Sequence, residues 1–196
     1  MNYPKGIKQI SENNYIRYDN RGMDLENDIN ITNQYYIDKE IAYIYKKPTP
    51  IQVTKVDYKN GMIIKEAYFK EPSTTDYNGL YNGLYIDFEA KETISKTSFP
   101  LANIHKHQIL HIKHIVDNNG IAFLIVRFKT LNKDFLLLGE DFINYLKDNT
   151  RKSIPLSYFE EKGYLINPSY MPRIDYLKII DNLQGGKYGK EKEKRN

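Results

Sequence analysis

Two carboxylates and a lysine in the middle of the chain have the types and spacing of a phosphate-cleaving metal site. Asp76 follows a Ser-Thr-Thr segment, and Glu89 and Lys91 lie in the apolar segment that comes next. Side chains alternate between the faces of a strand, so Glu89 and Lys91 are expected on one face, with Phe88 and Ala90 in a core. Carboxylates hold hard cations such as Mg²⁺, and a neighbouring lysine orients an attacking water or neutralises phosphate charge. The pattern predicts a metal-dependent phosphodiesterase.

An alternative is a structural ion pair, because such charged triplets also occur in surface strands. Charges inside an apolar strand are costly unless they serve a purpose, which favours the catalytic interpretation. Gln108, on the next predicted helix, is positioned to reach the metal through its amide oxygen. The same helix carries His107, His111 and His114 on one face, a spacing that also suits zinc. We favour a polar helix face near a phosphate-binding site.

Apolar periodicity, turn residues and proline breaks predict the elements that must position these groups. The predicted helices are 23–38, 103–117, 141–147, 156–162 and 173–183; the predicted strands are 41–45, 51–57, 62–69, 84–91, 121–128 and 135–138. Asn60-Gly61 suits a tight hairpin turn, the tandem over 77–84 predicts a second turn between strands, and 98–101 is a predicted loop. This order predicts an α/β fold with a mixed central sheet flanked by helices.

Length and composition predict one nuclease domain with flexible ends. The chain has 196 residues and no cysteine, which excludes disulfides and thiolate metal sites. We expect a flexible arm over 1–20, a nuclease domain over 21–184 with a hairpin stalk at about 51–70, and a disordered charged tail over 185–196. With no signal-peptide pattern and no long apolar run, a soluble cytoplasmic protein without a membrane partner is expected.

Global charge does not identify a nucleic-acid partner. The net charge is +4, and the tail after Gly186 supplies most of it with five basic and two acidic residues. Local clustering does suggest a DNA-facing group near the hairpin and the first helix. Its members are Lys46, Lys47, Lys55, Lys65, Phe69, Lys70 and Arg21. The alternative for the lysines is an ordinary solvated hairpin, and for Phe69 a place in the core.

The chain resembles the RecU-type Holliday junction resolvases over residues 21–183. The resemblance rests on segments that occur in the family's order: Arg21-Gly22-Met23, Lys46-Lys47-Pro48-Thr49-Pro50, Glu66-Ala67-Tyr68-Phe69, Ser73-Thr74-Thr75-Asp76-Tyr77-Asn78-Gly79, Tyr85-Ile86-Asp87-Phe88-Glu89-Ala90-Lys91-Glu92-Thr93, Lys96-Thr97-Ser98-Phe99-Pro100-Leu101, His107-Gln108 and Pro172-Arg173-Ile174-Asp175-Tyr176. Lys106 stands where the family's usual His-Asp-His-Gln has an acid.

The resemblance implies a restriction-endonuclease-like α/β core and a homodimer. It implies a protruding stalk, formed here by 51–69, that enters the centre of a four-way DNA junction. The family's metal positions correspond to Thr74, Asp76, Glu89 and Gln108, and its catalytic lysine corresponds to Lys91. The implied cofactor is Mg²⁺, with Mn²⁺ as a substitute.

The expected activity is resolution of four-way junctions by paired symmetric nicks that leave 5′-phosphate ends. The resemblance also implies contacts with RecA and the RuvAB branch-migration complex. Two alternatives stay open: a restriction-type endonuclease on linear duplex, and a non-catalytic junction-binding or recombinase-regulating module.

Overall fold

A six-stranded mixed sheet forms the centre of the protein. The structure, a computed structural model, describes residues 24–59, 61–69 and 74–183. Its helices are α1 (Leu25–Asp38), α2 (Lys106–Asp117), α3 (Gly139–Asp148) and α4 (Leu156–Lys162), and a last helix, α5, begins at residue 176 and is described to residue 183. Its strands are β1 (Tyr43–Lys46), β2 (Ile51–Asp57), β3 (Ile63–Phe69), β4 (Tyr77–Tyr81), β5 (Leu84–Thr93), β6 (Ser98–Pro100), β7 (Ile121–Phe128), β8 (Lys133–Leu138), β9 (Ser153–Pro155) and β10 (Tyr164–Ile166).

The central sheet has the strand order β1-β4-β5-β7-β8-β10. Strands β5 and β7 run parallel, and the other neighbouring pairs in this sheet are antiparallel. Helix α2 makes the crossover between the two parallel strands, as such a connection requires. The predicted α/β fold with a mixed central sheet flanked by helices is therefore confirmed.

Apolar clusters cover both faces of this sheet. One cluster joins α1 and α5 to the sheet and includes Leu25, Ile29, Ile86, Phe88, Phe123, Tyr176 and Ile180. The opposite cluster joins α2, α3 and α4 to the sheet and includes Ile112, Ala122, Leu124, Phe142 and Phe159. Burial of these side chains is the main driving force that holds the helices against the strands.

Strand β5 departs from this apolar pattern on one face only. Ile86, Phe88 and Ala90 point into the α1-side cluster, as predicted for Phe88 and Ala90. Asp87 and Glu89 alternate with them, so they face α2, and both are completely buried. A polar site is thus built into the middle of the sheet, beneath the N-terminal half of α2.

The two Asn-Gly steps of the tandem have different structural roles. Asn82 and Gly83 both have positive φ and form the tight turn between β4 and β5. Gly79 lies within β4 opposite Ile44 of the edge strand β1. A Cβ atom at Gly79 would lie 2.1 Å from the carbonyl oxygen of Tyr43, so only glycine permits this approach.

We predict that Gly79→Ala displaces β1 and costs about 2 kcal/mol or more, because the new methyl group would overlap backbone atoms. Urea unfolding measures the loss, and hydrogen exchange of the β1 amides localises it. Gly83→Asn is the matched control, because asparagine tolerates left-handed backbone and no atom lies within 4 Å of the added Cβ. Equal stability of the two variants would contradict the prediction.

Several sequence-based bounds need correction. Residues 98–101 are not a loop: β6 pairs with β9, and a short 3-10 helix over Leu101–Asn103 follows. Helix α2 therefore starts at Lys106, and the last helix starts at residue 176 because bends occupy 170–174. Strands β9 and β10 were not predicted, since three residues are too few to show an alternating pattern.

Some predictions fall outside the described residues. These are the arm over 1–20, Arg21, Lys70, the turn residue Asn60, and the tail over 185–196. Among the described residues, no helix combines the length and the apolar character needed to cross a membrane.

Candidate active site

Two carboxylates meet where β4 begins beside β5. Asp76 immediately precedes β4, whose first residue lies opposite Phe88. The backbone N–H of Asp76 donates to Glu89 Oε2 at 3.2 Å, and the N–H of Ala90 donates to Asp76 Oδ2 at 3.4 Å. These bonds place both acidic side chains on the α2 side of the sheet, at its centre.

Lys91 and Gln108 complete the immediate surroundings of Glu89. The ammonium of Lys91 contacts Glu89 Oε1, which confirms that the two side chains share a face. Gln108 Nε2 donates to the same oxygen at 2.6 Å, while its Oε1 accepts from the N–H of His105 at 3.0 Å. Ligation of a metal through the Gln108 oxygen therefore requires rotation of the amide. Thr74 is half-buried and lies two residues before Asp76.

The electrostatics of the pair suit a bound cation. Burial raises the pKa of Glu89 to about 8, and the neighbouring Asp76 carboxylate adds to the rise. Contact with Lys91 opposes this effect without cancelling it. A divalent cation held by Asp76 and Glu89 would relieve both the desolvation and the mutual repulsion, and oxygen donors are the ligands that Mg²⁺ and Mn²⁺ prefer.

The histidines do not form a metal cluster. Within 24–59, 61–69 and 74–183, no group of three or more His, Cys, Asp or Glu side chains is arranged to hold a metal ion. The ligands that a zinc site on α2 would need are therefore not in place. A metal at Asp76 and Glu89 would need further donors that are neither acids nor histidines, such as the oxygens of Thr74 and Gln108. His111 turns instead to Asp87, with 3.2 Å between its Nε2 and Asp87 Oδ2.

Sequence reasoning missed a second buried acid beside the pair. Asp87 is fully buried and accepts from Tyr85 OH at 3.0 Å and from Thr75 Oγ1. Its other contacts are with His111 and with the ammonium of Lys47, 2.7 Å away. The signal was present, because Asp87 is two residues before Glu89 and must share its face.

The predicted DNA-facing lysines divide into inward and outward side chains. Lys47 points inward to Asp87, and its side chain is only 17% exposed. Lys46 is half-exposed and contacts Glu26, which raises the pKa of its ammonium. These two adjacent lysines therefore face different surroundings.

Most side chains of the hairpin are exposed. Lys55 and Lys65 are more than half exposed and form weak pairs with Glu66 and Asp57 at 3.4 and 3.3 Å. Phe69 is 77% exposed, so it is not a core residue. Strands β2 and β3 pair with each other as a separate two-stranded sheet, and every residue of β3 is exposed. The predicted hairpin is therefore present, and it carries exposed apolar and basic side chains.

Comparisons with known proteins identify relatives along most of the chain. The family described as "RecU: Recombination protein U" matches residues 20–182. A protein of Bacillus mycoides named "Holliday junction resolvase RecU" is 53% identical over 171 residues, covering 85% of this chain and 86% of the relative. Proteins of the same name from Oceanobacillus iheyensis and Staphylococcus aureus are 46% and 48% identical, each covering 93% of this chain and 99% and 96% of themselves.

A solved structure, that of the Holliday junction resolvase Hjc of Archaeoglobus fulgidus, has a TM-score of 0.39 and 8% identity, covering 65% of this chain and 88% of that chain. The family match and the identities to its relatives are decisive, and with the carboxylate pair and the hairpin in place we conclude that this chain belongs to the RecU family.

Proposed function

We propose that this protein is a structure-selective endonuclease that resolves four-way DNA junctions in recombination and repair. The observation that carries the proposal is the pairing of half-buried Asp76 with fully buried Glu89, with Lys91 beside them, in a chain of the RecU family. An acidic side chain that is fully buried beside a second acid is unfavourable for folding, and such a perturbed group is typical of a functional site.

The acidic pair is proposed to hold Mg²⁺, with Mn²⁺ as a substitute and with Thr74 and Gln108 as further oxygen donors. When bound, such a cation supplies Lewis-acid activation of phosphate and water. Lys91 is held beside the proposed metal ligand Glu89, and a cation at Glu89 would replace the Lys91 ammonium as its partner and leave that ammonium available to a phosphate. There it would position the attacking water and stabilise negative charge developing on the phosphate oxygens.

The proposed hydrolysis of a phosphodiester bond in the DNA would leave 5′-phosphate and 3′-hydroxyl ends, which a ligase can seal. A four-way junction is pseudo-symmetric, and a two-fold homodimer would present two such sites to opposite strands. We propose this dimer, and we propose RecA and the RuvAB complex as protein partners in the cytoplasm.

Contacts with DNA phosphates would supply most of the affinity for the junction, and this affinity should fall as the salt concentration rises.

The exposed hairpin is the proposed stalk that enters the junction centre. An isolated two-stranded ribbon is marginally stable in water, and one with exposed apolar side chains favours a partner surface. The most exposed are Tyr58, Met62, Tyr68 and Phe69. The unstacked centre of a junction offers base faces to such side chains.

We predict that removal of the hairpin abolishes junction selectivity. Ile51 lies opposite Phe69, so an Asn-Gly turn can replace residues 52–68 without moving the strand ends. The variant should keep its melting temperature, because β2 and β3 form no part of the central sheet. Its preference for junction over duplex in a gel-shift assay should fall at least about tenfold, or 1.4 kcal/mol. A truncated variant that still selects junctions as the full chain does would show that selectivity lies elsewhere.

The proposal is tested by incubating an end-labelled synthetic junction beside linear duplex of the same sequence, with and without Mg²⁺. Cleavage of the junction alone, and only with the metal, supports a resolvase. Efficient cleavage of the duplex at a fixed site would favour a restriction-type enzyme. Binding without cleavage under any divalent metal would leave a junction-binding module.

A further inference from the structure

Asp87, near the candidate site, is a fully buried carboxylate that has no role in the proposed cleavage reaction. A buried charge is tolerated only when it is paired and hydrogen-bonded. Tyr85, Thr75 and His111 supply neutral or titratable partners, and Lys47 supplies the fixed positive charge at 2.7 Å. Lys47 is thus the counter-ion of Asp87.

Lys47 also has direct connections to the loop that carries Asp76. Its backbone N–H donates to the carbonyl oxygen of Asp76 at 2.7 Å. Its ammonium donates to Thr75 Oγ1 at 2.9 Å, and Thr75 in turn donates to Asp87. Two consecutive residues of the loop, Thr75 and Asp76, are therefore attached to the same lysine.

The position of Lys47 in the chain connects this attachment to the hairpin. It directly follows β1, and the sequence Pro48-Thr49-Pro50 leads from it to the first residue of β2. The two prolines restrict the backbone, so this connection is short and stiff. The root of the hairpin is consequently tied to the proposed metal ligand Asp76 through one residue.

We propose that Lys47 is a positioning residue, which holds Asp76 in place for cleavage and does not bind DNA phosphate. The inference rests on the proposed junction-cleaving function. To contact a phosphate, the ammonium would have to leave both the buried carboxylate of Asp87 and the hydroxyl of Thr75, and no proposed cation would replace it at Asp87. Substitution of Lys47 keeps its backbone bond to Asp76 but removes the bond from its ammonium to Thr75. Misplacement of a reacting group by about 1 Å costs about 100-fold in rate, so loss of the bond to Thr75 should appear in the cleavage step.

The test uses Lys47→Met, Asp87→Asn and the double variant, each assayed for junction affinity and for single-turnover cleavage at saturating protein and Mg²⁺. For Lys47→Met we expect cleavage about 10- to 100-fold slower. Junction Kd should stay within about twofold, and the slope of affinity against salt should not change. The control is Lys133→Met, which removes a lysine from an exposed pair with Glu160. Its cleavage rate, junction Kd and salt slope should equal those of the original chain.

The double variant separates positioning from general stability, because it removes both charges and leaves no unpaired carboxylate. We expect it to regain the melting temperature of the original chain while cleavage stays slow, since Thr75 has lost its anchor. Full recovery of cleavage in the double variant would overturn the proposal. So would weaker junction binding at unchanged cleavage rate with a salt slope smaller by about 0.9, the signature of one lost phosphate contact. Failure of the original chain to cut junctions would instead refute the proposed function.

Discussion

Asp76→Asn should bind four-way junctions as the original chain does and cut them at least about a thousandfold more slowly. Asparagine keeps the size of the side chain but removes one of the two carboxylates proposed to hold the cation. The backbone bonds that fix position 76 use its N–H and its carbonyl, so they remain. Junction binding depends on phosphate contacts elsewhere and should be unaffected.

Cleavage is measured in a single turnover with saturating protein across a Mg²⁺ titration, and binding by gel shift in Ca²⁺. Asp117→Asn is the matched control, because Asp117 ends α2 in an exposed pair with Lys113. It should cut at the original rate. If Asp76→Asn still cut junctions in Mg²⁺, Asp76 would not be a metal ligand. If the variant no longer bound junctions, the main role of Asp76 would be in the DNA interface.

Glu89→Gln should stabilise the metal-free protein at pH 8. The pKa of Glu89 is raised from 4.5 to about 8 in the folded chain, so the folded state retains a proton that the unfolded state releases. Below pH 4.5 both states are protonated and the side chain carries no penalty. As pH rises towards 8, the unfolded state is increasingly favoured, by roughly 3 to 5 kcal/mol at the upper end. Glutamine mimics the protonated acid and escapes this loss.

Urea unfolding in EDTA at pH 5, 6.5 and 8 measures the difference. The advantage of Glu89→Gln should be largest at pH 8 and shrink towards pH 5, and added Mg²⁺ should stabilise only the original chain. Glu66→Gln on the exposed hairpin is the control and should show no such trend. A variant that is less stable than the original chain at pH 8, or equally affected at every pH, would contradict the shifted pKa.

Local alternation was sufficient to predict which side chains of β5 share a face at the candidate site. An acid and a lysine two residues apart in an apolar strand share a face, and the contact between Glu89 and Lys91 follows from that rule. The same rule places Asp87 beside them. The buried apolar run of β7 and the exposed hairpin were also evident, because both have strong patterns over seven or more residues.

Other features depend on tertiary packing that no local pattern encodes. Lys46 and Lys47 are adjacent and chemically identical, yet one contacts an exposed acid and the other a buried one. The difference arises because β1 ends between them and the chain turns over Asp76. The pairing of β6 with β9 is likewise a contact between short segments about 55 residues apart in the chain.

The most direct test of the central claim is to map the nicks on all four strands of a labelled junction after incubation with Mg²⁺, and then to treat the products with DNA ligase. We expect one nick at the same position in each of two opposing strands, and resealing to intact duplex without further processing. Nicks in unrelated positions, ends that ligase cannot join, or equal cutting of the linear arms would contradict a junction resolvase acting through Asp76, Glu89 and Lys91.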